Sequence, residues 1–141
     1  MGNIDKSRYF KISELVSPEI FKLLSVEACW NLIPPYMVYG LDRLRELYGG
    51  PIIINDGVSY INSGIRTLDC GIGAKYSTHK CFRGLVGVDL KCKDQDKLRD
   101  IIEANYADLH ISEVESYDET PSWTHIAFSA ERPSKLRVIK P

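Results

Sequence analysis

The chain has 141 residues, enough for one domain spanning 1–141 with a real core, and its 44% hydrophobic and 26% charged content is that of a folded soluble chain rather than a disordered one. Lys and Arg total 18 against 19 Asp and Glu, a net charge of -1. No basic excess calls for nucleic acid, and no polybasic run calls for a membrane surface. The opening Met-Gly-Asn-Ile-Asp-Lys-Ser-Arg lacks the apolar core of a secretory signal, and no apolar stretch approaches the ~18 residues that span a bilayer. The expectation is a protein made, and at first held, in a cytosol.

The N-terminal third reads as helical. Ser17-Pro18 is an N-cap with Pro at the first helical position, and 19–24 carries the turn that follows. A second short helix is expected over 26–32, ending before Pro34-Pro35. The clearest helix runs from about Pro35 to Tyr48: Met37, Leu41, Leu44 and Tyr48 recur at helical spacing, and Gly49-Gly50 supplies the stop.

Then the period changes. Residues 51–55 form a short β-branched run, read as a buried strand. In 85–91, Val86, Val88 and Leu90 alternate with Gly87, Asp89 and Lys91, so Asp89 should face away from the core its neighbours fill. Asp94 caps a helix over about 95–105 with Leu98, Ile101 and Ile102 as its buried stripe. A strand is expected near 109–116, with Ile111, Glu113 and Glu115 on one face. A polar loop follows, then a strand near 123–129 in which Trp123, His125 and Ala127 share a face. Residues 136–139 form a short last strand. Helices first and strands afterwards, with one helix between, make an α+β fold: N-terminal helices packed on a mostly antiparallel sheet.

The glycines of 57–87, running from Gly57 to Gly87, mark turns and close backbone approaches rather than a linker. The cysteines Cys29, Cys70, Cys81 and Cys92 contain no Cys-x-x-Cys pair. In a cytosolic chain free thiols are expected over two disulfides, with Cys81, close after His79, a rival metal ligand.

The chemistry resides in His79, Asp89 and His125. Two imidazoles and a carboxylate are donors that zinc accepts, and three protein ligands leave one position for water, the mark of a catalytic rather than a structural zinc site. Hydrolysis there also needs a base for that water and a positive group for the substrate oxygen. The acids 113, 115, 118 and 119 precede His125 and supply base candidates. Arg66 offers a planar guanidinium for a carboxylate or carbonyl.

These residues carry a resemblance. Ser63-Gly64-Ile65-Arg66, then Gly71-Ile72-Gly73-Ala74-Lys75-Tyr76-Ser77-Thr78-His79, then Gly87-Val88-Asp89, then Ser122-Trp123-Thr124-His125-Ile126 resemble, in order, the motifs of the D-alanyl-D-alanine carboxypeptidase group of zinc peptidases. That group includes bacterial carboxypeptidases and dipeptidases and phage L-alanyl-D-glutamate endopeptidases. The segments 9–18 and 41–49 also resemble short phage-encoded members. The resemblance implies a hedgehog/D-Ala-D-Ala peptidase-like fold, with His79, Asp89 and His125 on Zn2+. Arg66 would then hold the substrate or transition-state oxygen, and Ser77 and Trp123 would line the substrate site. It implies cleavage of a bond in the peptidoglycan stem peptide, as carboxypeptidase or endopeptidase, by a monomer reaching the wall after holin-type release or as a virion component. The chain departs from the pattern twice. Nine residues separate His79 from Asp89, a longer interval than usual in the family, and Ser122 stands where many members keep a catalytic Glu three residues before the last His. Glu119 or Glu115 is therefore expected as the base. The competing expectation is a non-catalytic zinc-binding module of the same fold.

Overall fold

A run of apolar side chains at helical spacing organises the molecule. In the computed structural model, which describes residues 6–54, 64, 85–118 and 122–140, Met37, Gly40, Leu41, Leu44 and Tyr48 are the buried face of the longest helix. The helices are α1 (Ile12–Leu15), α2 (Pro18–Leu23), α3 (Val26–Asn31), α4 (Pro35–Tyr48) and α5 (Gln95–Asn105). The strands are β1 (Val86–Leu90), β2 (Ile111–Glu115), β3 (Thr124–Phe128) and β4 (Arg137–Ile139). The described residues thus form a mixed α+β fold with five helices and one open four-stranded sheet. Among them no helix is long and apolar enough to cross a membrane.

The caps expected at Ser17 and Asp94 form, and Ser25, not singled out in the sequence, caps α3 in the same way. Ser17 Oγ accepts the Ile20 amide at 3.3 Å, Ser25 Oγ accepts that of Ala28 at 3.1 Å, and Asp94 accepts that of Lys97 at 3.0 Å. Each satisfies an amide that the first helical turn leaves without a partner. Gly49 closes α4 in the left-handed region, at φ 76°, where a glycine carries no Cβ penalty. Its amide returns to the Arg45 carbonyl at 3.0 Å. The short α1 has no counterpart among the expected elements. Its Glu14 carboxylate accepts the Lys11 amide at 2.8 Å, a local cap that helical periodicity does not reveal in so few residues.

The strand order is β1-β3-β2-β4. β1 and β2 both run antiparallel to β3, and β4 runs parallel to β2, so the sheet is mixed. One face is apolar: Val86, Val88, Leu90, Ile111, Ile126 and Phe128 are all buried there, beneath α4 and α5. Gly40 brings α4 close to the sheet. A Cβ at that position would collide with the Leu109 carbonyl and the Phe128 ring.

Two expectations are corrected. The run 51–55 is not a strand over its described residues; Ile53 makes an isolated antiparallel bridge with Lys91, by two hydrogen bonds of 2.8 Å. Pro51 lacks an amide for a ladder, and a bridge ends where the adjacent β1 ends. In β2 the register shifts between Ile111 and Glu113. Ile111 pairs with Phe128 on the core face, while Glu113 pairs with Ala127 on the other. The bulge therefore separates Ile111 from the face it was expected to share with Glu113 and Glu115.

Candidate functional site

The second face of the sheet carries the polar groups. Alternation along β1 sends Gly87 and Asp89 away from buried Val88 and Leu90, as expected. Along β3 it sends His125 and Ala127 away from Ile126 and Phe128. The antiparallel register then sets Asp89 directly opposite His125 and Gly87 opposite Ala127. Cross-strand partners point to the same side, so the carboxylate and the imidazole meet: Asp89 Oδ1 lies 2.7 Å from His125 Nδ1. His125 is only 6% exposed.

Beyond β3 the same face continues onto β2. Glu113 sits opposite Ala127, and Glu115, one step past the Val114–Ile126 pair, falls level with His125. Glu113 is 2% exposed, and its Oε2 lies 3.2 Å from Nη1 of Arg137, its register partner on β4. A buried carboxylate costs several kcal/mol unless it is paired, and this ion pair offsets that cost. Glu113 lay among the acids before His125, but its burial was not legible: the bulge at Ser112 and the arrival of β4 decide it.

Of the residues expected at the site, Asp89, His125, Glu115 and Trp123 lie among the described ones. Asp89 and His125 are in contact, Glu115 shares their face, and Trp123 is exposed just before β3. His79, Arg66, Ser77 and Glu119, with Cys70 and Cys81, lie outside the described residues. Gly64, of the Ser63-Gly64-Ile65-Arg66 motif, is described. Its Cα rests on the Leu15–Val16 backbone so closely that a Cβ would collide with the Leu15 carbonyl. Glycine at that motif position thus has a packing reason as well.

A zinc site needs anionic or neutral N and O donors that converge, and Asp89 with His125 meets that chemistry for two positions. Two donors bound at ~2.0 Å to one tetrahedral zinc stand about 3.3 Å apart. The 2.7 Å contact is shorter and is that of a proton-bridged pair, so admitting a metal means losing that proton and opening the pair by a fraction of an ångström. Among the described residues no three His, Cys, Asp or Glu side chains form a metal-holding group. The third histidine, His110, is not near this chemistry: it occupies a left-handed turn before β2 (φ 59°), stacks near Tyr36 and bonds the Ser129 carbonyl at 3.1 Å.

A groove of about 500 Å³ between the N-terminal segment and α4 is lined by Lys6, Arg8, Val38, Asp42 and Glu46 among others. It contains none of these site residues, and its charges are mixed. The two described cysteines, Cys29 and Cys92, are free thiols, both pushed up in pKa by burial. No protein-family model, curated protein or solved structure matches this chain.

Proposed function

We propose that the chain is a zinc-dependent peptidase that cleaves a peptide bond in the peptidoglycan stem, as a carboxypeptidase or endopeptidase of phage type acting in lysis or from the virion. The observation that carries the reading is the Asp89–His125 contact at 2.7 Å, made by two side chains from motifs that the sequence alone pairs with His79. Asp89, His125 and His79 would hold the metal. A zinc ion there would polarise the scissile carbonyl and lower the pKa of its water to roughly 7.

The chain's own groups supply the rest. Glu115, level with His125 on the same face, or Glu119, four residues on, would take the water's proton and return it to the leaving amine. Arg66 would hold the substrate oxygen through its planar fork, with Ser77 and exposed Trp123 beside the peptide. Ala127 and Gly87, the smallest side chains of the row next to His125 and Asp89, leave backbone rather than bulk at the floor of the face.

The test joins metal content to digestion of purified muropeptides read by mass spectrometry. The wild-type chain should carry about one zinc, the occupancy of a mononuclear catalytic site. It should release a new free amine or D-alanine, and His79→Ala should lose both zinc and cleavage while staying folded. Protein that remains metal-free in excess zinc overturns the reading.

A second reading has one observation in its favour. Ser122 occupies the position where many similar peptidases keep a Glu. Zinc bound with an unchanged muropeptide profile would identify the chain as a non-catalytic zinc-binding module of the same fold.

A further inference from the structure

We propose that Arg99 is a positioning residue of this site: from α5 it grips both ends of the β2–β3 connection and sets Glu115 and Trp123 beside His125. The inference rests on the peptidase reading and deepens it. Arg99 Nη1 donates to the Glu115 carbonyl at 2.7 Å, and Nη2 donates to the Trp123 carbonyl at 3.3 Å. Its guanidinium carbon also stacks 4.9 Å from the ring centre of Tyr117, inside the same connection. One planar fork thus spans two carbonyls from opposite ends of a single loop, with an aromatic on its face. A lysine ammonium, a point charge, can reach one of the carbonyls or sit over the ring, but it cannot span both carbonyls as the planar fork does.

Gln95 sits one turn earlier on the same side of α5 and extends the grip. Its Oε1 accepts the Thr124 hydroxyl at 2.6 Å, and its Nε2 reaches the Leu90 and Ser122 carbonyls at the longer distances of 3.4 and 3.5 Å. The contacts fall at significant places. Leu90 follows Asp89, Thr124 precedes His125, and Glu115 is itself held. The start of α5 therefore ties together the three strand ends that carry the described site residues. Reaction rates depend steeply on such placement, and a shift of about 1 Å costs on the order of 100-fold.

The experiment uses the full chain, zinc-loaded, as wild type, Arg99→Ala and Arg99→Lys. Each is assayed on a synthetic stem pentapeptide, L-Ala-D-Glu-L-Lys-D-Ala-D-Ala, with zinc content and amide hydrogen exchange measured in parallel. In Arg99→Ala, kcat should fall on the order of 10–100-fold with KM little changed. Zinc content should hold, and exchange should rise over 116–123 alone. Arg99→Lys should recover part of the rate. Wild-type kcat in both variants overturns the proposal, and so does a loss of zinc with faster exchange throughout the fold, which marks a merely structural role. Should Arg99→Ala not fold, an Arg99→Lys protein with wild-type kcat and exchange overturns it. Wild-type protein that binds zinc and cleaves nothing removes the peptidase reading alone. The exchange arm then judges the grip, and unchanged exchange over 116–123 in Arg99→Ala overturns that too.

Discussion

The carboxylate of Asp89 can serve His125 in two ways, and one substitution separates them. As a co-ligand, it shares a metal with the imidazole. As an orienting group, it holds the Nδ1 proton and leaves the other ring nitrogen to coordinate. The 2.7 Å contact, from a residue opposite in register, is the starting geometry for both. Loss of an orienting partner lowers metal affinity by about 10–100-fold, whereas loss of a direct ligand costs more. Asp89→Asn keeps the shape and removes the charge. Zinc affinity measured by competition with a chromophoric chelator should fall by more than ~100-fold, the mark of a ligand rather than an orienting group. A fall of about 10–100-fold would assign Asp89 the orienting role. Asp89's direction was legible from alternation in β1, and so was the shared face of His125 and Ala127. Their convergence was expected from donor chemistry and the resemblance; that they stand directly opposite in register and in contact was not, because it depends on a pairing 36 residues apart.

At the level of elements, capping and periodicity located every longer helix, since those signals are local: the expected caps Ser17 and Asp94 each bind an amide three residues on. The sheet was less legible. The bulge in β2 has no strong local sign, and it decides that Ile111 enters the core while Glu113 turns to the polar face. The helix–sheet contact at Gly40 was also invisible, because a glycine inside a helix reads as a local defect. Its reason is tertiary. Ala would gain about 1 kcal/mol of helix propensity. Its methyl would also be driven into the Leu109 carbonyl and the Phe128 ring, and backbone yields less readily than a side-chain tip. Overpacking of this kind costs about 1–3 kcal/mol. Gly40→Ala is therefore expected to destabilise, by up to about 2 kcal/mol net in urea unfolding. A stabilised variant would mean that α4 can move off the sheet at little cost.

For the whole molecule, metal binding and folding should be linked. The proposed ligands come from β1, β3 and a sequence segment before β1, so a site built from them would form only in the folded chain. A ligand that binds only the folded state at 1,000 times its Kd adds about 4 kcal/mol of stability. For a domain of this size that is a rise of about 10 °C in Tm. Calorimetry with zinc and then with excess chelator should show the rise and its reversal. A Tm indifferent to both would argue against any structure-linked zinc site. The sequence by itself determined the four longer helices, the alternation that turns Asp89 and His125 off the core, and the donor chemistry of the candidate set. Each of these depends on residues a few positions apart, whose geometry the backbone period dictates. Tertiary structure alone decided that Asp89 stands directly opposite His125 in the β1–β3 register, that Glu113 is buried against Arg137, and that Arg99 spans the β2–β3 connection. Those contacts join separate elements, and their register is set by how the whole sheet closes its hydrogen bonds and buries its apolar face.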